Sequence, residues 1–201
     1  MKEIFNGERK FHHDEDRGFY VPNHKVIRNS VYPKNINGTC GFTAACILLD
    51  YWNKTLGGFV PEKFLENGNL KTTGFTLQDQ LRKYSRYNKS WAKTITDAIN
   101  SLCRAYNLPG RAYYTLGSIG VREYLNKGRP SIVFGWLNSG VDIKSIDSKP
   151  LRHIFHAVTV YGKEDKNYIS HYGWKGYEKV VLKRSVIGSV TLFNPDVIIK
   201  S

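Results

Sequence analysis

The chain is predicted to adopt an α+β fold, a helical front half packed on an antiparallel sheet built from the back half. Two features predict it. Apolar residues between Cys40 and Tyr106 recur at helical spacing, and after Pro130 the apolar stretches shorten to strand length, with turn residues between them. A third is size: 201 residues with 41% hydrophobic and 13% aromatic content can bury one real core. Residues 1–18 are polar and mixed in charge and are expected to form a flexible arm, leaving residues 19–201 as a single domain.

Taken in order, residues 19–31 read as extended, from the alternation in Phe19-Tyr20-Val21 and Lys25-Val26-Ile27. Asn37-Gly38 is a turn pair and Thr39 an N-cap candidate. Ala44, Ile47, Leu48 and Tyr51 then line a buried helix that begins at Cys40 and stops at Gly57-Gly58. Residues 61–67 read as a short helix entered through Pro61. Thr76 and Asp79 form a near capping box for the next helix. Trp91, Ile95, Ala98, Leu102 and Tyr106 line one face of another, which Pro109-Gly110 ends. Residues 111–115 suit a strand and 118–126 a helix. Strands are then expected at 130–137, 154–161, 167–171, 177–182 and 190–193, with a polar loop over 138–150 and a turn over 163–166.

Thirty Lys and Arg against 17 Asp and Glu give a net charge of +13, which suits an anionic partner. Arg82, Lys83, Arg86, Lys89 and Lys93 follow one another closely enough to share a face that could hold an anionic polymer. There is no dense basic run, Gly-rich phosphate loop or dinucleotide fingerprint, so neither specific nucleic-acid binding nor a cofactor is expected. The three cysteines, Cys40, Cys46 and Cys103, form no CxxC pair, which argues against a disulfide scaffold or structural zinc. Cys46 and Cys103 fall on apolar helix faces. No apolar run is long enough to span a bilayer and Met1 opens no signal peptide, so a soluble protein is expected.

Cys40 stands apart. A cysteine in the first turn of a buried helix feels the positive end of the helix dipole and unpaired N–H groups, which favour thiolate and can hold an oxyanion. His156 opens a buried strand, where a histidine can serve as a base, and His171 lies on the next strand. A cysteine, a histidine from another element and an orienting polar group are the parts of a thiol nucleophile.

These motifs carry a family resemblance. Thr39-Cys40-Gly41-Phe42-Thr43-Ala44-Ala45 resembles the nucleophile helix of papain-like cysteine peptidases, in particular the bacterial branch that includes the bacteriocin-processing, double-glycine-leader peptidases. Gly128-Arg129-Pro130-Ser131-Ile132-Val133 and His156-Ala157-Val158-Thr159-Val160-Tyr161-Gly162 look like the family's histidine strand and the strand before it. Asn167-Tyr168-Ile169-Ser170-His171-Tyr172-Gly173-Trp174 looks like the strand where the family places Asn or Asp before G-W or S-W. The resemblance implies a papain-like fold, with a helical lobe carrying the cysteine and a sheet lobe carrying the histidine, and a cysteine peptidase acting on peptide or protein substrates. It implies Cys40 as nucleophile, His156 as base and His171 as the third member, with Tyr172 the competing assignment. No Gln precedes Cys40, so the oxyanion amide falls to Asn35, Asn37 being needed for the turn.

Two other readings compete. One is a catalytically silent module of the same fold that binds peptide or anionic wall polymer. The other is a metal site using Cys40, His156 and His171.

Overall fold

The computed structural model describes residues 9–10, 18–36, 38–85, 89–137, 154–164 and 166–196. Among them are a two-residue strand β1 (Arg9–Lys10), β2 (Phe19–Tyr20), helices α1 (Lys25–Arg28) and α2 (Cys40–Leu56), and the small hairpin β3 (Leu65–Glu66) and β4 (Asn69–Leu70). Helices α3 (Leu77–Tyr84) and α4 (Ala92–Tyr106), strand β5 (Arg111–Leu116) and helix α5 (Val121–Asn126) follow. The chain then runs through β6 (Ser131–Leu137), β7 (Ile154–Glu164), β8 (Asn167–His171), β9 (Val180–Leu182) and β10 (Ile187–Asn194). The main sheet has the order β1-β9-β8-β7-β6-β10-β5, and all its pairings are antiparallel. This is the α+β arrangement that the change of period at Pro130 predicts.

Helix α2 is the centre of the core. Every residue from Cys40 to Trp52 is buried, because the helix lies on β7 and β6 while α1, α3 and α4 close over its other sides. Leu48 is fully enclosed, so Leu48→Ala costs about 2–5 kcal/mol from lost burial and the cavity left behind. The glycine stop reads as predicted: Gly57 takes φ 79° and its N–H donates to Asn53 O at 2.9 Å. Along β10, the Thr191 hydroxyl donates to Ala92 O of α4, whereas a methyl group on Gly120, at the start of α5, would strike Leu192. Adjacent strand residues point to opposite faces, so α4 and α5 cover opposite faces of the sheet.

Strand β7 is the spine of the back half. It pairs with β6 over Ile154–Val160 and with β2 at Gly162 and Lys163 along the same edge, while β8 takes the other edge. Its register sets Gly135 opposite His156. A Cβ at Gly135 would lie 1.9 Å from Val186 O, so only glycine lets the chain after β9 come this close.

Several expectations need correction. Residues 19–31 are not continuously extended: a turn with Asn23 at φ 53° follows β2 and leads into α1, whose Ile27 is fully buried. Residues 61–67 form a single 3-10 turn, Glu62–Phe64, and then the β3–β4 hairpin. Asn67 and Gly68 both have positive φ, the geometry that an Asn-Gly two-residue hairpin turn demands. Trp91 stands at the N-cap of α4 and is 57% exposed, off the buried face. The expected arm, residues 1–18, lies outside the described residues except for Gly18 and for Arg9–Lys10, which pair with Val181 and Val180. The loop over 138–150 lies outside the described residues.

Candidate active site

Cys40 is the first residue of α2, and the local sequence explains why its sulfur meets donors. Gly38, at φ 77°, turns the chain into the helix. Thr39 occupies the N-cap position, but its hydroxyl turns backward. It accepts from the Ile36 N–H at 3.0 Å and donates to Ile36 O at 2.8 Å. The expected forward cap is therefore absent, and the first-turn amides stay available. The Cys40 sulfur sits among the N–H groups of Ala157, Gly41 and Cys40 itself and the hydroxyl of Ser90.

Ser90 is a site residue that sequence reasoning missed. It precedes α4, far from Cys40 along the chain, and nothing in its local pattern marks it. Its hydroxyl donates to Gly38 O, and a Cβ on Gly41 would lie 2.9 Å from the Ser90 Cβ. Gly41 is thus what lets the Ser90 loop close against the first turn.

Electrostatics at the sulfur differ from the helix-dipole expectation. Burial pushes the Cys40 thiol above its ordinary range, outweighing the Ala157, Ser90, Gly41 and Cys40 donors. Desolvation of a thiolate costs more here than a handful of partial charges returns. Cys46 is pushed up much further by burial and by the Asp50 carboxylate below it, and Cys103 to about 12 by burial. Cys40 is 8% exposed against 0% and 1% for the other two.

His156 lies on β7 one residue before the Ala157 amide that reaches the sulfur. Its ring stacks on Trp174 with centroids 4.3 Å apart and planes 9° from parallel. Its Nε2 lies 2.9 Å from the Tyr172 carbonyl oxygen. A carbonyl only accepts, so Nε2 carries the proton and Nδ1 keeps the lone pair. A third member bound at Nδ1 would leave Nε2 to face the thiol; here the bound nitrogen is Nε2. Burial lowers the pKa to about 4, the Tyr172 carbonyl opposing it. The ring is therefore a neutral base at neutral pH.

The expected contact between His156 and His171 is corrected by the register. Thr159, not His156, stands opposite His171. Continued three steps, that register would set His156 against Trp174, the ring it stacks on. His171 Nδ1 instead accepts the Gly173 N–H at 2.8 Å, and its ring meets Tyr32 edge-on at 5.4 Å. Burial lowers the His171 pKa to about 3. Tyr172 enters through its main chain. The metal reading is also corrected: His156 Nε2 and His171 Nδ1 are held by main-chain groups, and among the described residues no three His, Cys, Asp or Glu side chains gather to hold an ion.

Asn35 is 5% exposed, and its Nδ2 has no hydrogen-bond partner among the described residues. A Cβ at Gly173, where φ is 74°, would lie 3.0 Å from that nitrogen and 3.2 Å from the Thr43 methyl, one turn beyond Cys40. The Asn35 carbonyl accepts from Trp174 Nε1 at 3.4 Å. Asn35 thus joins the turn after β8 to the start of α2.

Of the basic face, Lys83, Lys89 and Lys93 are exposed, with the Lys89 ammonium 5.2 Å from the Trp91 ring and Lys93 paired to Asp97 at 2.8 Å. Arg82 is half-buried, and Arg86 lies outside the described residues. Among the described residues no helix is long and apolar enough to cross a membrane.

No family model matches the chain, and no curated protein matches it. Among solved structures it is similar to the peptidase domain of Streptococcus ComA, a bi-functional ABC transporter involved in a quorum-sensing pathway. The identity is 16%, the TM-score 0.46, and the match covers 83% of this chain and 98% of that one. It is also similar to a structure described as a C39-like peptidase from Bacillus anthracis, at 10% identity and TM-score 0.45, covering 86% of this chain and 96% of that one.

Proposed function

We propose that this protein is a papain-like cysteine peptidase in which Cys40 is the nucleophile and His156 the general base. One observation carries the reading: a buried imidazole fixed as the Nε2–H tautomer, on the strand step whose next amide reaches the Cys40 sulfur. The motifs at residues 39–45, 128–133, 156–162 and 167–174 support it by their order.

The step is general-base catalysis rather than attack by a standing ion pair, because burial holds the thiol up and the imidazole down. As Cys40 Sγ bonds to the substrate carbonyl carbon, its proton passes to His156 Nδ1. The carbonyl oxygen gains the charge and is received by the Cys40 N–H and the Asn35 amide, which has no other acceptor among the described residues. His156 then protonates the leaving amine as the C–N bond breaks. Water, deprotonated by the same ring, hydrolyses the thioester and restores the thiol.

The exposed Lys83 and Lys89, with the exposed Trp91 next to Ser90 in the chain, favour substrates or wall polymers carrying negative charge. The test is peptide turnover together with labelling by a peptidyl electrophile. Turnover lost in both Cys40→Ala and His156→Ala, with the adduct on Cys40 by mass spectrometry, supports the reading. Labelling without turnover of any peptide would leave the silent-module reading in its place.

A further inference from the structure

We propose that His171 is a positioning residue that acts on His156 through a single peptide unit, the one joining Tyr172 to Gly173. The inference rests on the reading of Cys40 and His156 as nucleophile and base. The Tyr172 carbonyl oxygen, which accepts from His156 Nε2, and the Gly173 N–H, which donates to His171 Nδ1, belong to the same amide. A trans peptide is planar, with its C=O and N–H pointing in opposite directions. One rigid plate is therefore held at each end by an imidazole: His156 N–H to oxygen, and N–H to His171 nitrogen.

Three consequences follow from the chemistry. His171 can accept at Nδ1 only if its proton is on Nε2, so its tautomer matches that of His156. An amide whose N–H is engaged has a more electron-rich oxygen, since hydrogen bonds in a chain polarise one another. The Tyr172 carbonyl is then a better partner for the charge that His156 gains when it takes the thiol proton. Third, the plate cannot swing. Gly173 at φ 74° is wedged between Asn35 and Thr43, Tyr172 N–H donates to Tyr177 O at 2.9 Å, and His171 is buried to 1% with its ring edge-on to Tyr32. Without His171 the Gly173 N–H would face a buried void, and the peptide would be free to rotate away from His156.

The substitutions His171→Asn and His171→Ala separate this role from simple packing. Asn places Oδ1 where Nδ1 stands and restores an acceptor; Ala does not. The direct readout is imidazole nitrogen NMR on the whole chain, which needs no substrate. In the native protein His156 and His171 should both show protonated Nε2 and bare Nδ1, and the His156 Nε2 proton should be hydrogen-bonded and slow to exchange. His171→Ala should lose that slow proton, and His171→Asn should keep it. With a peptide substrate, His171→Ala should lower kcat about 100-fold with KM within about twofold, the cost of losing a base's alignment. His171→Asn should recover at least a tenth of native kcat. A native His171 protonated at Nδ1, or a His156 proton unchanged in His171→Ala, overturns the proposal, and the native spectrum decides even if the alanine variant does not fold. If the NMR pattern holds and no peptide is ever cleaved, the peptide clamp stands and the peptidase reading falls.

Discussion

Two fully buried histidines held neutral make this fold acid-sensitive, by an amount the site itself sets. Both folded pKa values are depressed from the ordinary 6.5, His156 to about 4 and His171 to about 3. Well above pH 6.5 neither state of the chain holds a proton on these rings, and the native state bears no penalty. As pH falls below 6.5 the unfolded chain takes up two protons that the native chain refuses, so stability falls. The slope is about 1.4 kcal/mol per pH unit for each ring. At pH 5 each ring has withdrawn about 2 kcal/mol, about 4 kcal/mol together. Against a typical domain stability of about 5–15 kcal/mol, that is a large share. Asp50, whose carboxyl burial pushes up, acts in the opposite sense and is common to every variant compared. Urea unfolding followed by the fluorescence of the four tryptophans, at pH 7.5, 6 and 5, measures the effect. His171→Asn should remove about half of the pH 5 loss, because one of the two protons no longer enters the balance. Equal losses in the native protein and His171→Asn, or a native stability flat from pH 7.5 to 5, would refute the reasoning.

The remaining predictions use other parts of the molecule. Alkylation should reach Cys40 before Cys46 or Cys103, and its rate should keep rising above pH 8.5 rather than level off at mildly acidic pH; peptide mapping by mass spectrometry decides. Ser90→Ala should slow that labelling, because the developing thiolate loses a hydroxyl that can turn to it from Gly38 O, with unfolding stability changed by only about 1 kcal/mol. Gly135→Ala should destabilise by more than about 3 kcal/mol in urea unfolding, since its methyl would overlap the Val186 carbonyl. Reversing Lys83, Lys89 and Lys93 to Glu should abolish salt-dependent retention on an anionic matrix; unchanged retention removes the anionic-polymer idea.

Much of this fold is legible in the sequence because the signals are local. The capping box at Thr76 and Asp79, the glycine stop of α2 and the period of β6 and β7 each depend on residues a few positions apart. The misses are of two kinds. Asn67-Gly68 is a hairpin signal that Pro61 masks, since a proline entry suggests a helix. The site's misses are non-local: Ser90 reaches Cys40 only because Gly41 clears its path, and a bulge between Val160 and Gly162 shifts the β7–β8 register. The bulge alone does not separate the histidines: counted out from the turn, where Glu164 pairs with Asn167, His171 would face Val160, and the shift brings it only to Thr159, so the notion of His171 as a direct neighbour of His156 fails while both positions remain in the site. The thiol's electrostatics are hidden from the sequence for a related reason. A helix start is visible in sequence, but the depth at which neighbouring elements bury it is not.

The Tyr172 carbonyl has a genetic consequence. Every amino acid at that position carries a main-chain carbonyl, so no substitution can delete the atom that orients His156. Vulnerability moves to the neighbours that fix the peptide plane, His171 and Gly173. A comparison that looks for an Asn or Asp at the third place would score this chain as lacking one, while the backbone holds the acceptor in position whatever letter is written there.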